Sequence, residues 1–351
     1  MASIGGAGAT ASSSDDAVIH LALPKGHMQE NVFKLLEEAG VKVSLNNARG
    51  YRPTVPLPNY DCKLLKPQNI LGMLAAGVRD LGFAGADWMT ELGIEGLVEV
   101  LDTGLDPVRI VAAAPDAGVL AKGVGAGGRR LIVASEYSGL TKAWLAKRGI
   151  EATFLRAYGA TEALPPEDAD IIVDNAATGS TLKANGLEVL DTLMNSTTRL
   201  FASKEAWANP AKRARIEKLV LLLRAVLEAR KRLMVSFNLP VDKLEALEGL
   251  PRCVQRRAGL QGLQCSSPLT PALSQTLPPH RPPPPPTHTP IPPPLPHTDS
   301  MRTPTVAPLL GSKGYSVTVA VEAQLVPGLI PQIKQLGGCD ILVSTVRMIV
   351  A

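Results

Sequence analysis

Short apolar runs alternate with helical patterns over residues 18–201, and this alternation limits the possible folds more than any other feature of the sequence. The first run, 18–23, is typical of a buried strand, and apolar side chains then recur at helical spacing until Gly40. Strands that alternate with helices predict an α/β fold with largely parallel sheets. Two such series, before and after about residue 110, predict two lobes with a cleft between them. Further strand-like runs lie at 78–84, 108–114 and 130–134, and further helical patterns begin at Pro67 and Thr141, the second of them ending at Gly149.

Composition excludes several classes of protein. With 351 residues, 45% of them apolar, the chain can form two or three domains with ordinary cores. A net charge of +4 and an aromatic content of 4% argue against a nucleic-acid-binding surface that works by stacking. The longest apolar run, Leu219–Leu223, is far shorter than the roughly 18 residues of a membrane span, so we expect no membrane segment.

The N-terminus and the cysteines indicate the compartment. Residues 1–16 are small and rich in Ser and Ala, as in organelle transit peptides, but they lack Arg and include two aspartates. They also lack the apolar core of a secretory signal, so we interpret them as a disordered lead-in. The four cysteines show no CxxC spacing, which favours free thiols over a zinc site or a disulfide framework. We therefore expect a soluble intracellular protein, in the chloroplast if the source is a photosynthetic eukaryote and otherwise in the cytoplasm.

The pattern changes at Pro210. Residues 210–237 form the longest helical pattern, and later segments predict a small α+β module with helices at 241–247 and 328–336 and strands at 315–323 and 341–343. Between them lies a tract, 268–296, with 14 of the chain's 30 prolines. Such a tract cannot pair its backbone in a sheet and has too little apolar mass for a core, so we predict disorder there. Its prolines also prevent the neighbouring histidines from forming a fixed metal site.

The segment Asp170–Leu182, DIIVDNAATGSTL, carries the clearest chemical signal. A short β-branched strand runs into small and hydroxylic residues, and the residues after them are helical in pattern. Glycine lets the backbone approach an anion closely, and amides at a helix start carry partial positive charge. Asp174, at the strand end, can accept hydrogen bonds from sugar hydroxyls. The segment therefore predicts a site for a phosphorylated sugar; the alternative is an ordinary corner capped by Thr and Ser.

Three further segments place polar or flexible residues at strand ends. Lys25 and Gly26 follow the first strand and open the first helix. The run Asp80–Asp87, DLGFAGAD, ends a strand with two glycines and an acid. Tyr158–Glu162 lies on the turn before the phosphorylated-sugar segment. Each alone is explained as well by a turn, whereas all of them in this order indicate one site.

This ensemble resembles the ATP phosphoribosyltransferase family, which catalyses the first step of histidine biosynthesis. The resemblance extends over residues 18–250 and resumes at 301–350. It rests on PKG after the first strand, on DLGxxGxD at 80–87, and on Glu162 followed by D-x-x-x-TGxTLxANGL at 174–187. The tail, which contains RTPTV, resembles the regulatory module of the family's long form, which needs no separate regulatory subunit.

The resemblance implies a two-lobed α/β catalytic core at 17–237, like that of periplasmic solute-binding proteins of type II. Lobe one would comprise about 17–110 with a return at about 200–237, and lobe two about 111–199. A small ferredoxin-like (ACT-like) regulatory module would comprise 238–252 and 301–351.

The implied reaction joins ATP and phosphoribosyl pyrophosphate to give phosphoribosyl-ATP and pyrophosphate. Mg²⁺ would act mainly through the pyrophosphate, its protein ligands being unknown; histidine would inhibit by feedback, and the chain would form a homo-oligomer, a dimer or hexamer. Glu162 and Asp174 would be catalytic, with Asp174 on the ribose hydroxyls. The sugar 5-phosphate would be held by Ala177, Thr178, Gly179, Ser180, Thr181 and Leu182. The first lobe's half of the cleft, which faces ATP, would be lined by Lys25, Gly26, Asp80, Gly85 and Asp87, with Lys25 the best phosphate contact.

The chain departs from the family pattern in several places. His27 stands where many relatives carry Arg or Ser, Asn175 replaces an aliphatic residue, and Glu162 lies one residue closer to the loop than is common. Relatives join LEGLP almost directly to RTPTV, whereas residues 253–300 intervene here. We interpret these residues as a retained intron, with a genuine insertion as the alternative.

Two other interpretations of the whole chain remain. One is a non-catalytic solute-binding protein of the same two-lobed fold, although such proteins are usually exported. The other is a phosphoribosyltransferase of a different fold, which normally carries two adjacent acids before its phosphate loop. Here a single acid, Asp174, is followed by Asn175.

Overall fold

The computed structural model describes residues 17–45, 47, 50–125, 128–243, 304–311 and 314–350. The described residues form two compact units, which divide between Leu227 and Glu228 rather than at the predicted boundary after 237. The predicted lead-in at 1–16, the insert at 253–300 and the module residues 244–252 and 301–303 lie outside the described residues. Within the described ranges no helix is both long and apolar enough to cross a membrane.

The first unit is built on one mixed eight-stranded sheet with the strand order β2-β1-β3-β8-β4-β7-β5-β6. The strands are β1 (Ile19–Pro24), β2 (Tyr60–Leu65), β3 (Leu81–Gly85), β4 (Val98–Ala114), β5 (Leu131–Ser135), β6 (Ala152–Arg156), β7 (Ile171–Ala176) and β8 (Glu188–Ala202). The helices are α1 (Gln29–Glu38), α2 (Pro67–Ala75), α3 (Ala86–Glu91), α4 (Val119–Lys122), α5 (Ser138–Arg148), α6 (Ser180–Ala184), α7 (Lys204–Ala208) and α8 (Pro210–Arg230).

Lobe one contains the parallel strands β2-β1-β3 with α1 and α2. β1 is almost wholly buried, as expected for a central parallel strand covered on both faces. α1 buries Val32, Leu35 and Leu36, the stripe that the helical spacing predicts. α2 begins at Pro67, where a missing amide hydrogen costs nothing. The predicted β1, α1 and α2 are therefore confirmed, whereas the sequence pattern predicts no strand at the position of β2.

Lobe two contains the parallel strands β7-β5-β6 with α5 and α6. Its core includes Val133, Trp144 and Ile171, all nearly or wholly buried. α5 ends at Gly149, which has a φ of 64° and closes the helix in the left-handed conformation. The helix predicted to end at this glycine is therefore confirmed.

The two longest strands, β4 and β8, pair antiparallel and extend through both lobes. One end of β8 pairs with β3 of lobe one, and one end of β4 pairs with β7 of lobe two, both antiparallel. The expectation of largely parallel sheets is wrong for this central pair. Residues 98–107 gave no strand signal because Gly104 and Pro107 interrupt the pattern. In the structure the register shifts there, between Asp102 and Val108.

The second unit contains β9 (Arg232–Leu239), β10 (Thr305–Pro308), β11 (Tyr315–Glu322), α9 (Val326–Gln335) and β12 (Cys339–Thr345). Its strand order is β10-β11-β9-β12, and every neighbouring pair is antiparallel. This is the order of a ferredoxin-like sheet, so the predicted fold of the C-terminal module is confirmed. The core between sheet and helix consists of Val235, Phe237, Leu239, Val317, Val319, Val321, Val326, Leu329 and Ile333.

Several predicted element bounds are wrong. The helix predicted for 210–237 ends at Arg230, and β9 takes the remainder, because Val235, Phe237 and Leu239 are buried at the period of two that a strand gives. The strand predicted for 78–84 begins only at Leu81. Of the helix predicted for 241–247, the described part is a short 3₁₀ turn at 241–243.

Candidate functional site

All the predicted second-lobe site residues surround one cavity at the carboxyl end of β7. The cavity has a volume of about 290 Å³. It is lined by Glu162, Asp174, Asn175, Ala176, Ala177, Thr178, Gly179, Ser180, Thr181 and Leu182. Ligands of α/β sheets bind outside the carboxyl ends of the strands, which is where this cavity lies.

The loop between β7 and α6 lines the cavity and ends in helix-start amides that have no acceptor within the helix. Gly179 has a φ of 76°, a left-handed conformation that glycine adopts without strain. The first hydrogen bond within α6 runs from Lys183 N to Gly179 O at 3.1 Å. The amides of the three residues before Lys183 therefore have no helical acceptor. Among them Ser180 N lies 3.4 Å from Thr178 Oγ1, a long contact that a bound anion could replace.

Asp174 is the acid whose environment changes its chemistry most. Its Oδ1 accepts hydrogen bonds from Asn175 N at 2.6 Å and Asn175 Nδ2 at 3.2 Å. The pKa of Asp174 is raised to about 6, mainly by burial and to a smaller extent by the nearby carboxylates of Glu162 and Glu136, against the lowering effect of the hydrogen bond from the Asn175 amide. A positive charge beside Asp174 would lower this pKa, so the site favours a ligand that brings or develops positive charge.

In lobe one, Lys25 and Gly26 follow the carboxyl end of β1. Lys25 is exposed, and its Nζ donates to Tyr51 Oη at 3.0 Å and lies 4.3 Å from the centre of the Tyr51 ring. This hydrogen bond lowers the pKa of Tyr51. Gly26 has a φ of 101° at the turn into α1. The Lys25 ammonium is thus exposed at a strand end, where it can meet an anion.

Gly85 and Asp87 form the corner between β3 and α3. A Cβ on Gly85 would collide with Asp87 Oδ1, so the corner requires glycine. Asp87 is buried, and its Oδ1 accepts from Ser196 Oγ at 2.6 Å while its Oδ2 accepts from Tyr137 Oη at 2.9 Å. Both oxygens of this carboxylate are occupied by protein donors, so Asp87 holds the corner in place.

The structure does not bring Asp80 to the other candidates. Asp80 precedes β3, and the strand separates it from Gly85 by roughly 16 Å at about 3.3 Å per residue. Its Oδ1 binds Lys212 Nζ at 2.7 Å and its Oδ2 accepts from His20 N at 2.8 Å. The carboxylate therefore ties α8 to the sheet of lobe one at the end opposite the strand-end corner.

Sequence reasoning missed Tyr137 and Ser196, which join the two lobes at Asp87. Tyr137 is buried, and its ring lies 4.9 Å from that of Trp88, centre to centre. Ser196 lies in β8, where its Oγ also accepts from Asp87 N at 3.0 Å. A polar aromatic residue just after a strand, as Tyr137 is after β5, is the signal that could have indicated this position.

Comparison with known proteins gives consistent matches along the chain. Residues 66–225 match the family model for ATP phosphoribosyltransferase (HisG), and residues 291–348 match the HisG C-terminal domain. The ATP phosphoribosyltransferase of Pelotomaculum thermopropionicum is 31% identical over 329 residues, which cover 92% of this chain and 96% of that relative. The enzyme of Thermodesulfovibrio yellowstonii is 35% identical over 235 residues, 66% of this chain and 79% of that relative.

A solved structure also supports the fold. It is a chain of the ATP phosphoribosyl transferase (HisG:HisZ) complex from Thermotoga maritima, 25% identical with a TM-score of 0.52. The match covers 60% of this chain and 99% of that one.

Proposed function

Because this chain belongs to the ATP phosphoribosyltransferase family, we propose that the cavity at the end of β7 binds the phosphoribosyl group that the enzyme transfers to ATP. The activity is the first step of histidine biosynthesis, and the module after Leu227 gives the chain the long-form architecture. The interpretation as a non-catalytic solute-binding protein is not favoured, since the relatives that match most of the chain are named as ATP phosphoribosyltransferases.

One observation carries the assignment of the phosphoribosyl site. The residues predicted to bind the 5-phosphate and those predicted to contact the ribose line the same cavity of about 290 Å³. Thr178, Ser180 and Thr181 offer hydroxyls and amides to the 5-phosphate, and Gly179 lets the loop turn towards it. Asp174, near the end of β7, accepts hydrogen bonds from the ribose hydroxyls, and Glu162 faces the sugar across the cavity.

The chemistry requires no covalent bond to the protein. A ring nitrogen of adenine attacks the anomeric carbon, and the bond from that carbon to the pyrophosphate oxygen breaks. Positive charge develops on the sugar and negative charge on the leaving group. Glu162 and Asp174 stabilise the first by their negative charges, and Lys25 stabilises the second from lobe one. Catalysis then rests on positioning and on fixed charges.

The site fits a Mg²⁺ ion that would be bound mainly through the pyrophosphate of the substrate. Among the described residues there is no group of three or more His, Cys, Asp or Glu side chains that could hold a metal. Mg²⁺ is commonly bound through one or two carboxylates together with substrate phosphates. Asp174 and Glu162 are the carboxylates that line the cavity, and the ion would neutralise charge on the pyrophosphate.

The second unit is proposed to bind histidine and thereby to inhibit the enzyme. The support is the match of residues 291–348 to the family's C-terminal domain, together with the ferredoxin-like sheet. A homo-oligomer is also proposed, from the resemblance to the family alone.

A direct assay tests the proposed activity. Purified protein is incubated with ATP, phosphoribosyl pyrophosphate and Mg²⁺, and both pyrophosphate and ribosylated ATP are measured. We expect the two products in equal amounts, and only when both substrates are present. Binding of phosphoribosyl pyrophosphate without any product would instead support the solute-binding interpretation.

A further inference from the structure

We propose that Tyr137 is a positioning residue that couples the phosphoribosyl site of lobe two to the strand-end corner of lobe one. This inference rests on the proposed function, because it names how the two halves of that site are held in register. Tyr137 does not line the phosphoribosyl cavity; it acts through Asp87 on one side and through Ser135 and β7 on the other.

The hydroxyl of Tyr137 lies between residues of the two lobes. It donates to Asp87 Oδ2 at 2.9 Å, at the N-terminus of α3 in lobe one. On the side of lobe two, Tyr137 N donates to Ser135 Oγ at 2.8 Å, and Ser135 Oγ donates to Val173 O in β7 at 2.5 Å, one residue before Asp174. The side chain of Asn175 also interacts with the Tyr137 hydroxyl. Hydrogen bonds therefore link Asp87 through Tyr137 and Ser135 to the strand that carries Asp174.

The surroundings hold Tyr137 in one orientation. Only 2% of the residue is exposed, and its ring packs on Trp88 with an interplanar angle of 32°. The backbone turn before it is fixed by Ser135, whose Oγ accepts from Tyr137 N at 2.8 Å. A buried ring fixed at this turn transmits a displacement of one partner to the other.

A second contact keeps the lobes together independently of Tyr137. Glu91, at the end of α3, accepts from Leu140 N at 3.0 Å in the first turn of α5. Its other carboxylate oxygen lies 4.0 Å from Arg156 Nη1. Because these contacts remain when the Tyr137 hydroxyl is removed, loss of the hydroxyl is expected to alter the register of the two half-sites while the lobes stay docked.

The test is Tyr137→Phe, which keeps the ring on Trp88 and removes only the hydroxyl. We expect kcat to fall about tenfold or more. The Kd for phosphoribosyl pyrophosphate alone should change less than twofold, since the loop between β7 and α6 is unchanged. The matched control is Ser196→Ala, which also strips a hydrogen bond from Asp87 but leaves the chain to Asp174 unbroken. That variant should lower the thermal midpoint at least as much and lower kcat less than threefold.

Ser135→Ala breaks the same hydrogen-bond chain where it meets β7, and it removes only one oxygen atom from a buried position. If the chain acts as one unit, the double variant Tyr137→Phe/Ser135→Ala has the kcat of the worse single variant. Multiplying effects of the two changes, or equal kcat losses in Tyr137→Phe and Ser196→Ala, would overturn the coupling. Absence of product in the wild-type protein would instead overturn the proposed function.

Discussion

At the scale of single residues, Asp174 shows a conflict between stability and function. Burial raises its pKa to about 6, and Glu162 and Glu136 oppose its charge. The folded state therefore holds the proton more tightly than the unfolded chain, whose carboxyl titrates near 3.8. The resulting stabilisation is complete below about pH 4 and is lost as the pH rises through 6, so the ionised carboxylate is a cost to the folded protein at neutral pH.

Asp174→Asn should consequently raise the thermal midpoint at pH 8 and not at pH 4. Since about 1 kcal/mol corresponds to roughly 2–4 °C in a protein of this size, we expect a rise of a few degrees at pH 8. Activity should be largely lost in the same variant. Calorimetry at the two pH values checks the stability effect, and an equal gain at both would contradict the proton linkage.

The proposed phosphoribosyl site is tested by combining Asp174→Ala with Thr178→Val. Hydrogen bonds to charged groups contribute about 1.5–3 kcal/mol each, so kcat/KM should fall by roughly two orders of magnitude or more. The control is Asp168→Ala with Thr153→Val, the same substitutions at exposed positions of the same lobe outside the cavity. Circular dichroism should show that both variants are folded. Equal kinetics in the two variants would indicate that the loop after β7 has only a structural role.

At the scale of elements, the turn from β7 into α6 depends on Gly179. Its φ of 76° strains any other residue, and a Cβ there would meet no atom within 4 Å. The cost of Gly179→Ala is thus backbone strain alone, about 1–2 kcal/mol. Gly149, with a φ of 64° and equally open space, is the matched control at the end of α5.

We expect Gly179→Ala and Gly149→Ala to lower the thermal midpoint by similar amounts. Only Gly179→Ala should also weaken the binding of phosphoribosyl pyrophosphate, because it alone distorts the amides around the cavity. Isothermal titration of both variants measures this difference. Equal binding by the two variants would indicate that the turn at Gly179 does not bind the substrate.

Sequence reasoning worked where one local signal decides the structure. Gly149 ends a helix, Pro67 begins one, and the loop after β7 carries its own chemistry in consecutive residues. It failed where distant pairing decides: most residues of β9 were predicted to be helical, whereas β11 and β12 pair with them on both sides and make them a strand. It also grouped Asp80 with Asp87, although a strand places them at opposite ends.

At the scale of the whole molecule, the second unit can be separated more cleanly than the sequence indicated. A chain ended after residue 237 would keep most of β9 without its neighbours, and an unpaired apolar strand promotes aggregation. A chain ended after Lys231 removes the strand entirely. We expect this shorter chain to retain measurable transfer to ATP and to lose inhibition by histidine.

Steady-state rates with and without histidine compare the two lengths directly. The full chain is the positive control for inhibition. Equal inhibition of the full chain and of the chain ended after Lys231 would assign the histidine site to the catalytic lobes.

The path of β4 and β8 through both lobes also sets the order in which the nascent protein can fold. The parallel strands of lobe two, together with β4, are complete once Ala176 has left the ribosome, whereas β3 must wait for Thr198–Ala202 to pair with it. At about 5–20 residues per second, that wait lasts roughly 6–23 s after Gly85 is made. During this interval the apolar edge of β3 is open to chaperones or to neighbouring chains. The lobe that is translated first is therefore the one that closes last.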